Sequence, residues 1–298
     1  MMKRNTSRIE TKTSRTAEYT CMSRAASYME KRACYKGTDD ISYILVPTVI
    51  KGILRFPRLC QLYHKLFAAK GIYEYVIART KYIDSVFMDA LEKGFHQIVI
   101  FGAGFDSRAQ RFNHLNRITR IFELDAPITQ EEKRKAFKEK NILIPENLFF
   151  VPINFNKESL AEKLADAGFE EGRKSLFISE GVTMYLSDDA IEETFTYIRD
   201  VAGEGSWIVF DYIYAGVLSG EKCYYGEKDA LTMVVKVGEA WYFGLEEGEI
   251  EDFLHRYGFS LKDHSNAQDL EERFFKNPEG IIVGRINGTH SIVTGIKE

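Results

Sequence analysis

The 298-residue chain has only four cysteines, Cys21, Cys34, Cys60 and Cys223, and no two of them form a CxxC pair. That excludes a sequence-local zinc knuckle and offers no disulfide framework, so reduced thiols in a cytoplasmic protein are expected. An excess of positive charge is also missing. The 40 Lys and Arg against 44 Asp and Glu give a formal charge of −4, which leaves no basic stripe for a nucleic-acid partner. No apolar run reaches membrane-spanning length; the most apolar early segment, Ile41 to Phe56, is broken by Pro47 and Lys51. The basic stretch Met1 to Thr16 is not followed by the apolar core of a secretory signal. The six histidines, His64, His96, His114, His255, His264 and His290, show no HExxH-like spacing. Packing or surface roles are therefore expected of them, and no metal ligand or catalytic base is nominated.

What is present is ordinary for a soluble globular protein, with 45% apolar and 28% charged residues. The length suits one large α/β domain, alone or with an appended cap. Residues 1–94 read as a helical cap. Its clearest helix runs from Gly71 to Leu91, where Ile72, Val76, Ile83, Val86 and Ala90 recur on one face and Gly94 supplies a stop. Arg79 sits on that apolar face. Burial of an unpaired guanidinium is prohibitive, so Arg79 either joins an internal ion pair or faces an anionic ligand. Farther upstream, Ser14 and Glu18 suit a helix start.

Residues 95–298 alternate strand and helix. Strands are expected at Ile98–Phe101, Ile118–Leu124, Leu148–Ile153, Leu176–Ser179 and Trp207–Tyr212. The helices between them have caps at Thr129–Glu132 (capping-box spacing), Asn156 and Ser187. Repeated β-α units imply a parallel sheet with right-handed crossovers and a ligand beyond the carboxyl strand ends. A polar and aromatic insertion at about 215–245, with Tyr224, Tyr225, Trp241, Tyr242 and Phe243, reads as a lid. The chain then closes with a helix and a final pair of strands, the last of them, Ser291–Ile296, expected at the sheet edge.

The first strand runs into Gly102-Ala103-Gly104, and the second ends on Asp125, about 20 residues on, where ribose hydroxyls are usually bound. The third glycine of a dinucleotide fingerprint is replaced by Ser107, and no GxxxxGK[ST] loop exists, which weakens the case for NAD and for nucleotide phosphates. Asp106, Asp125, Glu180 and Asp211 all fall at or just after strand ends. Four carboxylates on one edge repel one another unless a ligand bearing amine and hydroxyl donors sits among them. A Gly-x-Gly turn followed by such an acidic strand end suits S-adenosylmethionine, which has a ribose diol, an amine and no phosphate.

Six segments, taken together, resemble the leucine carboxyl methyltransferase family of S-adenosylmethionine-dependent enzymes, including its bacterial O-methyltransferase branch. They are Ser14–Ala17, Ala78–Thr80, Phe101–Ala109, Glu123–Pro127, Glu180–Leu186 and Gly205–Asp211. The resemblance implies a Rossmann-like class I methyltransferase, with a mostly parallel seven-stranded sheet and helices on both faces, in residues 95–298. It implies that Arg79, assisted by Arg15, meets the methionine carboxylate, that Gly102 and Gly104 admit the methionine moiety, and that Asp125 takes the ribose. Glu180 would lie near the amine, while Asn154 and Phe155 stand where the family usually has an Asp-Leu pair to hold adenine. Tyr185, Tyr212, Trp241 and Tyr242 are the candidate contacts to the methyl acceptor, taken to be a small-molecule carboxylate or hydroxyl. A protein C-terminal carboxylate, or a cofactor-binding protein without turnover, stands as the alternative.

Overall fold

The computed structural model describes residues 15–56, 68–116, 118–155, 157–220 and 224–298. Its strands are β1 Gln97–Phe101, β2 Arg120–Asp125, β3 Leu148–Pro152, β4 Ser175–Ser179, β5 Trp207–Ile213, β6 Phe259–Ser265 and β7 His290–Lys297. They form one sheet in the order β3-β2-β1-β4-β5-β7-β6. The first five run parallel, and β7 lies antiparallel between β5 and β6. The last strand is therefore interior. The expectation of an edge strand at Ser291–Ile296 is corrected, because β6 pairs with β7's free side and takes the edge itself.

β-Branched and aromatic runs buried on both faces explain the strands. Alternate residues feed two cores. Ile98, Ile100, Leu176, Ile178, Val209 and Ile292 face one of them, and Val99, Phe101, Phe177, Ile208, Phe210 and Val293 the other. The described helices are α1 Arg15–Met29, α2 Asp40–Leu45, α3 Thr48–Leu54, α4 Ile72–Glu92, α5 Arg108–Arg111, α6 Pro127–Glu139 and α7 Leu160–Asp166. They continue with α8 Asp188–Val201, α9 Ala215–Ser219, α10 Glu227–Val237, α11 Ile250–Arg256 and α12 Ala267–Phe274. The first core takes residues of α1, α4 and α12, and the second those of α7, α8 and α11, giving three layers. Because α1 and α4 share a core with β1, β4, β5 and β7, the cap residues pack directly on the sheet.

One of the expected caps is borne out. Ser187 caps α8, its Oγ accepting from Ala190 N at 3.4 Å. Ser14 and Asn156, expected as caps, lie outside the described residues; Ser159 caps α7, with Glu162 N 3.3 Å from its Oγ. Thr129 is no cap, since Pro127 starts α6 two residues earlier. The 215–245 insertion contains α9 and α10, and Leu245 N bonds to Ile213 O at 3.0 Å, closing it back onto the end of β5.

Candidate active site

The chain leaves β1 through two glycines in the left-handed region, Gly102 at φ +58° and Gly104 at φ +50°. A Cβ on Gly102 would stand 2.6 Å from Val182 Cγ2, so both the backbone conformation and the neighbouring side chain demand glycine. The turn presents Gly104 N–H to Asp125 Oδ2 at 2.5 Å, and Ala126 N–H reaches Asp125 Oδ1 at 2.6 Å. Burial raises the Asp125 pKa, while these two backbone donors oppose that rise. Each carboxylate oxygen keeps a lone pair for a further donor.

Beside this turn lies a buried ion network. Arg24 pairs with Asp39, and Arg111 with Asp39 and Asp84. Arg108 reaches Asp84 at 2.8 Å and Glu180 at 2.8 Å, and also pairs with Asp106. Arg79 reaches Glu180 at 3.1 Å and Asp211 at 2.7 Å. Burial opposes ionisation of Asp106, yet Arg108, Lys133 and Arg24 bring its pKa down to about 2. Glu180 and Asp211 are likewise held below the usual carboxylate range against burial, Glu180 by Arg108 and Arg79, Asp211 by Arg79 and the Gly181 N–H.

This corrects the expectation that a ligand relieves four mutually repelling carboxylates. Asp106 and Asp211 are occupied by arginines and backbone N–H groups, and Arg79 has two internal partners. Among the described residues, four guanidiniums nevertheless face five carboxylates in the connected network, one more negative charge than positive. Glu180 Oε1 and Arg108 Nη2 are buried without a hydrogen-bond partner among the described residues. The network thus has room for a ligand of net positive charge.

Next to Arg79 and Gly181 opens a cleft of about 630 Å³, the open solvent at its mouth included, between α1, α4, α10 and the segment after β4. Tyr19, Tyr75, Met184, Tyr185, Met233, Trp241 and His290 line it, an amphipathic aromatic surface suited to a small organic molecule. Tyr185 and Trp241 are among the residues that line this cleft. Tyr212 is not: it follows Asp211 on β5, faces the opposite core, and stacks on His264 with ring centroids 6.2 Å apart. Tyr242 is 62% exposed, although its N–H anchors the segment to Met184 O at 2.7 Å. Asn154 and Phe155 follow β3, with Asn154 N donating to Glu158 Oε2 at 2.8 Å and the Phe155 ring exposed. Arg15 opens α1, and its side chain is outside the described part.

His290, for which the sequence led only to a packing or surface role, lines the cleft. It starts β7, packs at a tilt against Tyr75 with 4.5 Å between centroids and lies edge-to-face with Trp241 at 5.3 Å. Burial, supplemented by Arg79 and opposed by Asp211, lowers its pKa to about 4, so it is neutral near pH 7. Histidine spacing could not reveal it, because the cleft is assembled from residues far apart in the chain.

The 3-2-1-4-5-7-6 sheet with an antiparallel β7, together with a glycine turn over an acidic β2 end, defines the class I methyltransferase fold. Solved structures agree on the fold. A provisionally named methyltransferase of Thermobifida fusca aligns at TM-score 0.59, with 12% identity over 95% of this chain and 98% of that one. A duf574 family protein of Streptomyces avermitilis aligns at TM-score 0.61, with 13% identity over 98% of this chain and all of that one (100%). Residues 51–199 match the leucine carboxyl methyltransferase family, and the chain belongs to it. Among its relatives, a Bacillus subtilis protein provisionally named an S-adenosyl-L-methionine-dependent methyltransferase is 30% identical over 67% of this chain and 66% of its own length. A similarly named protein of Mycobacteroides abscessus is 34% identical over 47% of each chain. The match to these relatives therefore spans between about half and two thirds of their length.

Proposed function

We propose that the protein is an S-adenosylmethionine-dependent O-methyltransferase acting on a carboxylate or hydroxyl of a small molecule. The observation that carries this is the buried network with one more negative charge than positive beside the Gly102–Gly104 turn and Asp125. S-adenosylmethionine, with an ammonium, a sulfonium and one carboxylate, has the complementary net charge, and its diol suits the remaining lone pairs of Asp125. Glu180 Oε1, which is ion-paired with Arg79 Nε at 3.1 Å but makes no aligned hydrogen bond among the described residues, suits the amine. Arg79 would hold the carboxylate while keeping Glu180 and Asp211 in place, assisted by Arg15. Asn154 and Phe155 would take the adenine, the amide carbonyl accepting from its amine and the ring packing on its face. The cofactor, when bound, supplies an electrophilic methyl group.

The chain's own contribution is alignment and exclusion of water. Such positioning is worth on the order of 7–11 kcal/mol. We assign residues 1–94 as a cap and 215–245 as a lid over the cleft, with Tyr185 and Trp241 contacting the acceptor; the cleft-facing Ala230, Met233, Val234 and Trp241 support the lid. The aromatic lining of the cleft supports a small organic acceptor. Transfer of labelled methyl from S-adenosylmethionine into a metabolite extract is the expected result. Label appearing only in a protein extract would favour the C-terminal carboxylate, and bound cofactor without transfer in either would indicate a non-catalytic protein.

A further inference from the structure

A chain of hydrogen bonds in the cleft wall ends on His290. Asn287 Nδ2 donates to Lys70 O at 2.9 Å, which fixes the amide orientation and turns Oδ1 toward Thr289. Oδ1 accepts Thr289 N–H at 3.1 Å and the Thr289 hydroxyl at 2.5 Å. That hydroxyl has one proton, already given to Asn287. Thr289 Oγ1 also lies 2.7 Å from His290 Nδ1, and there it can only accept. Nδ1 therefore carries the hydrogen, and Nε2 presents a lone pair. Among the described residues nothing hydrogen-bonds Nε2 and no carboxylate forms an ion pair with His290.

The ring is held in the cleft wall by Tyr75 and Trp241, which leaves it little freedom to turn. Charged or titratable groups reach it from each packed element: Tyr75 and Arg79 on α4, Asp211 on β5, and Glu239 across the cleft. Arg79 and burial keep the imidazole neutral in the face of Asp211. A lone pair in an aromatic cleft repels a carboxylate and attracts an O–H donor.

Building on the methyltransferase function proposed above, we propose that His290 is the acceptor-side general base and that the acceptor is an aryl or enol hydroxyl rather than a carboxylate. The hydroxyl donates to Nε2. As its oxygen bonds to the methyl carbon, the carbon–sulfur pair returns to sulfur and leaves a neutral thioether. The hydroxyl proton passes to Nε2, giving an imidazolium that later releases it to solvent.

The test uses the full chain with labelled S-adenosylmethionine and matched panels of substituted phenols and aryl carboxylates. Methylation of phenols is expected, with kcat/KM flat between about pH 6 and 9. His290→Gln should lower kcat/KM at pH 7 by about 10²-fold, the low end for general-base catalysis, because the buried ring takes up a proton less readily than a solvated imidazole. It should also make the rate climb about tenfold per pH unit toward the phenol's own pKa, near 10. A structural role would instead lower the rate equally at every pH. Imidazole should rescue His290→Gly, and Thr289→Val should show an intermediate loss. Melting temperature and donor affinity of His290→Gln report whether the fold is kept, and ¹⁵N resonances of His290 report its tautomer and its contact with bound phenol without turnover. Transfer to carboxylates alone, a pH-independent defect, or Nε2 resonances that no phenol moves would each overturn the proposal while leaving the methyltransferase function standing. Absence of heat on titrating S-adenosylmethionine would overturn both.

Discussion

Arg79→Met removes the one cation shared by Glu180 and Asp211 while keeping most of the side-chain volume. Loss of one partner from a buried ion pair costs about 3–5 kcal/mol, because a desolvated charge is left behind. Here the loss is cushioned. Glu180 keeps Arg108 at 2.8 Å, and Asp211 keeps Gly181 N–H at 2.6 Å and the Tyr75 hydroxyl at 2.8 Å. The expected destabilisation near pH 7 is therefore about 3 kcal/mol, at the low end of that range. It should also depend on pH. In the wild type both carboxyl pKa values are depressed on folding, so their stabilising contribution is present above the unfolded values, near 4, and lost as pH falls. Without Arg79, burial dominates and the depression shrinks or reverses, so this gain on raising the pH disappears. Urea unfolding at about pH 2.5, 3.5, 5 and 7 should show a gap between variant and wild type that is smallest at the acid end and widens as pH rises through the unfolded carboxyl values near 4. A gap under about 1 kcal/mol, or one constant across that range, would refute the assigned ion network.

Gly102→Ala should cost about 1–2 kcal/mol from the left-handed backbone alone, with further loss from the Val182 contact, and should abolish donor binding; a melting curve and a titration check both. Asp125→Ala should leave the fold intact and weaken S-adenosylmethionine affinity at least tenfold by calorimetry. His290 has a folded pKa of about 4 against about 6.5 unfolded, so its neutral form contributes stability above pH 6.5 that is lost as pH falls toward 4. Replacing it with Gln should flatten the acid limb of the stability curve by about 3 kcal/mol, measured by unfolding across that window. If 215–245 is a lid, amide hydrogen exchange in α10 and at Trp241 should slow when donor and acceptor are both present, and stay unchanged if the segment is static.

The parts of the molecule legible in the sequence are those set by local chemistry. β-Branched runs located the first five strands, the Gly-x-Gly pair located the turn, and Asp125 was found by its distance from it. The ion network was not legible, because Arg24, Arg108 and Arg111 meet their partners only through tertiary packing, and nothing local marks an arginine as buried. Arg79 was the exception, betrayed by its place on an apolar helix face. Tyr212 could have been assigned correctly: neighbours on a strand face opposite ways, so a site-facing Asp211 sends Tyr212 to the other core. The interior position of β7 follows from β6 pairing outside it, a strand left without boundaries because Phe259–Ser265 alternates only weakly. His290 was invisible because Tyr75, Trp241 and Thr289 converge on it from separate parts of the chain.

Calorimetric titration of the intact chain with S-adenosylmethionine, and in parallel with NAD, tests the central claim most directly. The account predicts one saturable site for S-adenosylmethionine, weakened by Asp125→Ala and abolished by Gly102→Ala, and no heat with NAD. Heat with NAD and none with S-adenosylmethionine would contradict it.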